Sequence, residues 1–91
     1  MYRIVLACHG IPAEIGPEAA ADITAEFRQH RQWHENVACT WGEGRLLLQA
    51  QNDYDERGLA LSDEFSDCIC ACTPATFAYR IEVESVTPLS P

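Results

Sequence analysis

The chain contains no lysine: its six basic residues are Arg3, Arg28, Arg31, Arg45, Arg57 and Arg80. That absence excludes a P-loop, whose lysine sits on the phosphates, and Schiff-base chemistry at a side-chain amine. Positive charge is scarce altogether. Against 14 acidic residues the net charge is −8, so phosphate backbones and anionic membrane surfaces are disfavoured, and neither nucleic acid nor membrane is an expected partner. Long hydrophobic runs are also missing, since none approaches the roughly 18 residues of a membrane span. The opening residues, with Arg3 inside an apolar strand-like run, lack the charged and hydrophobic regions of an export signal. The five cysteines, Cys8, Cys39, Cys68, Cys70 and Cys72, are odd in number and three crowd into one short stretch. This is a poor disulfide framework, and a reducing cytoplasm is the expected location.

What is present suffices for one domain. A chain of 91 residues buries roughly 60 to 65% of its unfolded surface in a single modest core. Hydrophobic residues at 47% and charged residues at 22% are ordinary for a globular fold. Residues 1–87 are expected to form the domain, and 88–91 a Pro-containing tail.

The hydrophobic periodicity divides the chain into six segments. Tyr2 to Cys8 is a short apolar run ending at His9-Gly10, the pattern of a central strand. Pro17 suits an early helix position, and Ala20, Ile23 and Phe27 recur at helical spacing, which predicts a helix from about Pro17 to Arg31. Val37, Cys39 and Trp41 alternate, Gly42-Glu43-Gly44 supplies a turn, and Leu46, Leu48 and Ala50 alternate again, so a β-hairpin follows. Asp53 with Glu56 reads as a capping pair for a second helix, whose stripe is Leu61, Phe65, Cys68, Ile69 and Cys72 before Pro74. Phe77, Tyr79, Ile81 and Val83 alternate with Arg80, Glu82 and Glu84 as a last strand. The order βαββαβ is that of a ferredoxin-like α+β plait, a four-stranded antiparallel sheet with both helices on one face and the first and third strands central. That fold hosts many functions and assigns none.

Four constellations carry chemistry in principle. Cys68-x-Cys70-x-Cys72 lacks zinc or thioredoxin spacing. On a helix, Cys68 and Cys72 point to the core while Cys70 faces Asp63 and Asp67, and the helix C-terminus disfavours a thiolate, so inert thiols are expected. Glu26, His30 and His34 stand four apart and would offer a divalent metal three ligands only if the first helix continued past Trp33. His34-Glu35-Asn36 reads as the exit turn, with the histidines complementing the helix dipole. Asp53, Asp55, Gly58 and Glu64 match part of a calcium loop, but Arg57 and Leu61 occupy ligand positions and no helix precedes it. His9, at the end of the first strand, is a candidate base that Glu14 or Glu43 would orient.

The face of the sheet away from the helices carries Arg3, Val5, Ala7 and His9, with Ala38, Thr40, Leu47, Gln49 and Gln51, and with Arg80, Glu82 and Glu84. A merely solvated face would pair Arg3 with Glu82 or Glu84. An apolar centre on a small domain instead points to coverage by a second copy. The expectation is therefore a small acidic binding or interaction module without catalytic, cofactor or metal residues. It self-associates through Val5, Ala7, His9, Leu47 and Gln49, and a further protein partner is compatible with it. The alternatives are a small enzyme using His9, or a divalent-metal protein using Glu26, His30 and His34.

Overall fold

Alternating strands and amphipathic helices must bury their apolar sides against one another, and here a single layer of each does so. The computed structural model describes residues 1–73 and 78–89. Its elements are β1 (Tyr2–His9), α1 (Gly16–His30), β2 (Glu35–Gly42), β3 (Arg45–Asn52), α2 (Leu59–Cys72) and β4 (Arg80–Pro88). The strands form one antiparallel sheet in the order β2-β3-β1-β4. The first and third strands are thus central, as right-handed crossovers require.

The even residues of β1 and β3 make the core face. Ile4, Leu6, Cys8, Leu46, Leu48 and Ala50 are buried together with Ile23 and Phe27 of α1 and Leu61, Phe65, Cys68 and Ile69 of α2. Each such aliphatic or aromatic side chain contributes about 1.5–3 kcal/mol through burial. The stripes foreseen for both helices are the buried ones, except that Cys72 is only half-buried at the margin. No helix among the described residues is long and apolar enough to cross a membrane.

Two local devices set the geometry. β2 and β3 are joined by the two-residue turn Glu43-Gly44, both at positive φ (54° and 76°), which matches the right-handed twist of a hairpin. Gly16, the first residue of α1, packs under Trp41: a Cβ there would lie 2.3 Å from the indole. Only glycine allows the helix to start that close to β2.

Two readings need correction. α2 is not capped by Asp53 and Glu56. Instead Asp55 accepts hydrogen bonds from the N–H groups of Ala60 (3.2 Å) and Leu61 (2.8 Å), because the chain turns through Gly58 in the left-handed region before the helix begins. β4 runs to Pro88 and is irregular, pairing Leu6 with Val83 but Val5 with Ser85. The extra residue shifts the alternation, so that Val86 joins Ile81 against the core while Val83 is exposed. Phe77, foreseen on the inner face of the last strand, lies outside the described residues.

The edge strand β2 is served by α1. The Thr24 hydroxyl accepts from the Cys39 N–H (2.9 Å) and donates to the Ala20 carbonyl (2.8 Å), while Arg28 donates twice to the Val37 carbonyl (3.3 and 3.0 Å). Backbone groups that would otherwise point outward from an edge are thereby paired. The opposite edge, β4, presents Arg80, Glu82, Glu84 and a terminal proline.

Candidate functional site

Because side chains alternate across a strand, the odd residues of β1 and β3 lie on the face without helices. Val5 pairs with Gln49, Ala7 with Leu47, and His9 with Arg45. The five residues expected to centre this face are therefore neighbours. Val5, His9 and Leu47 are half-buried and Gln49 is exposed, but Ala7 has no exposed surface. Ala7 lies on β1 between two flanking strands joined by an ion pair, Arg45 of β3 to Glu84 of β4 at 3.0 Å. It is the small residue between those long side chains, so it offers no contact surface of its own.

Around His9 the face is charged. Its Nε2 lies 3.9 Å from Glu82 Oε1, and the other oxygen of Glu82 faces Arg80 Nη2 at 3.6 Å. The ligand atoms of His9, Glu82 and Glu84 all lie within 4.8 Å of one another, the only such group of three among the described residues. The His9 Nε2 itself is shielded from solvent and has no hydrogen-bond partner among the described residues. His9 thus has carboxylate neighbours, but they come from β4, whereas the sequence pointed to Glu14 and Glu43. Antiparallel register also places Thr87, and neither Glu82 nor Glu84, beside Arg3. The alternation had put both glutamates on this face; only the pairing of β1 with β4 across the chain brings them to His9.

The second polar cluster lies at the other end of the molecule and is buried. The His34 side chain is fully enclosed between the rings of Phe27, Trp33 and Tyr54. Asn52 Oδ1 accepts from the backbone N–H groups of Tyr54 (3.2 Å) and Asp55 (2.9 Å), so its amide nitrogen faces His34 Nδ1 at 3.2 Å. A donating amide requires Nδ1 to be the acceptor. The ring proton is therefore on Nε2, which donates to Glu64 Oε2, while Trp33 Nε1–H donates to Glu64 Oε1 at 3.3 Å.

This network disposes of two motifs. α1 ends at His30, which is exposed, and both nitrogens of His34 are engaged elsewhere, so Glu26, His30 and His34 do not converge. Likewise Asp55 holds the start of α2 and Glu64 holds Trp33 and His34, so the calcium-loop residues do not share a centre. Nothing local in the sequence signals the His34 cluster, because its members come from four separate segments.

The cysteines are all free thiols. Burial pushes Cys8 up from the ordinary 9.0 to about 11 and Cys39 to about 12. Burial also raises Cys68, against the opposing pull of Arg31, and Cys72. Cys70 is exposed, with Sγ 3.4 Å from the Tyr79 hydroxyl. For Cys8, Cys39, Cys68 and Cys72 the shift is upward, opposite to the lowering that activates a nucleophilic thiol.

Comparison with known proteins yields no match: no family model matches the chain, and neither does a curated protein or a solved structure.

Proposed function

We propose that this protein is a small acidic binding module that pairs with a second copy of itself through the helix-free sheet face, and that its architecture is the ferredoxin-like plait. The strand order and the placement of both helices on one side of the sheet support the fold reading. The observation that carries the functional reading is the apolar strip of half-buried Val5, Leu47 and Ala38 across the three strands that lie side by side, β1, β3 and β2, with no element among the described residues over it. The occupant is argued from charge. Arg3 is exposed and without an ion-pair partner among the described residues, whereas Glu82 and Glu84 stand at the opposite end of the same face. A two-fold axis that lays two such faces together with strands antiparallel brings each Arg3 to the other copy's carboxylates, the self-complementarity that an isologous interface requires. The free thiols, most of them held protonated by burial, fit a reducing cytoplasm.

The test is the mass in solution by light scattering across a concentration series. A dimer that becomes a monomer in Leu47→Asp, with unchanged circular dichroism, is the expected outcome, and Arg3→Glu should weaken the dimer at least tenfold. A wild-type chain that stays monomeric at the highest concentration overturns the reading.

A further inference from the structure

The charged end of the sheet face offers a second chemistry. One imidazole and two carboxylates are the donor types that suit borderline divalent cations such as zinc, iron or manganese. They are already gathered here, with ligand atoms within 4.8 Å of one another and His9 Nε2 3.9 Å from Glu82 Oε1. Two ligands of one zinc ion, each about 2.0–2.2 Å from the metal, stand roughly 3 to 4 Å apart. Small side-chain rotations close the remaining gap. Two further observations point inward. His9 Nε2 is out of solvent and unpartnered, so the lone pair that a metal would take satisfies nothing else. Each carboxylate also keeps one oxygen toward an arginine, Glu82 Oε2 toward Arg80 and Glu84 Oε1 toward Arg45, and leaves the other free. Ligating carboxylates are commonly oriented by such outer partners.

We propose that His9, Glu82 and Glu84 bind a divalent cation of the zinc class at the rim of the open sheet face. Three protein ligands leave at least one coordination position open to a water or a small anion, the arrangement of zinc sites that bind or act on ligands rather than of closed structural ones. The guanidinium groups of Arg45 and Arg80 stand against the incoming charge. The site is accordingly weaker than a four-ligand structural site, and its cation exchanges. All three ligands belong to one chain, so a single copy can form the site, although pairing as proposed would bring the other copy's Arg3 to the same carboxylates and compete with the cation.

The probe is cobalt, whose visible bands report its ligands, followed by zinc competition, on full-length protein carrying Cys70→Ser to remove the exposed thiol. One cobalt per chain is expected, with weak visible bands, no near-ultraviolet thiolate band, and zinc displacing it. Glu82→Gln and His9→Ala should each weaken binding at least about tenfold. Glu82 is exposed, so its variant folds even if the His9 variant does not. The same titration on Leu47→Asp separates the two readings, since a monomer that still binds cobalt leaves this site standing when the pairing fails. No binding, a thiolate band as the only signal, or affinity unchanged in Glu82→Gln overturns the proposal.

Discussion

At the scale of single residues, the most constrained side chain is Asn52. Its amide oxygen collects the Tyr54 and Asp55 N–H groups and its nitrogen sets the proton on His34, so one residue fixes both a turn and a tautomer. Replacing it with leucine leaves a buried ring nitrogen and two backbone donors without partners, at roughly 1–3 kcal/mol for each group that stays dry. Asn52→Leu is therefore expected to lower the urea midpoint by the equivalent of at least about 2 kcal/mol. In the wild type, nitrogen NMR should show His34 protonated at Nε2; a ring protonated at Nδ1 would contradict the assignment. None of this was legible in the sequence, where His34 reads as an exit turn. The polar partners of a buried histidine are chosen by tertiary folding, and no local period marks them. Asp55 teaches the same lesson on a smaller scale. A carboxylate three residues before another looks like a cap, but the chain takes a left-handed step at Gly58 and a different aspartate arrives at the helix start.

At the scale of elements, the reading from periodicity succeeds because burial selects for it. Ile23 and Phe27, Leu61 and Phe65, and Leu46 and Leu48 each recur at the spacing that one buried face demands, and these are the residues the core contains. Periodicity fails where the backbone departs from its period, as in β4, where one extra residue after Val83 turns Val86 inward. It is also silent about bonds between elements, such as Thr24 on α1 serving β2. Thr24→Val keeps the shape but removes the acceptor for the Cys39 N–H, and the expected loss is roughly 1–3 kcal/mol by chemical denaturation. Thr24→Ser should retain most of the stability. Equal losses in the two variants would indicate packing rather than the hydrogen bond.

At the scale of the whole molecule, the buried thiols couple folding to alkaline pH. Cys8 and Cys39 release protons in the native state only near 11 and 12, against 9.0 ordinarily. Their contribution is complete below about pH 9, and it falls as pH rises from there toward the native values. The slope is about 1.4 kcal/mol per pH unit for each thiol. Denaturation midpoints measured from pH 8 to 10.5 should decline accordingly, and a Cys8→Ala, Cys39→Ala variant should decline less steeply; parallel curves would remove the thiols as the cause. The two borders of the sheet lead elsewhere. One is stitched to a helix by Thr24 and Arg28, and the other bristles with charge and ends in proline, both of which oppose the addition of another strand. With sideways growth opposed at both borders, the helix-free face is the surface left, among the described residues, for the proposed meeting with a second copy. If two molecules meet there as proposed, that face is used up, and the assembly stops at a pair instead of lengthening into a filament.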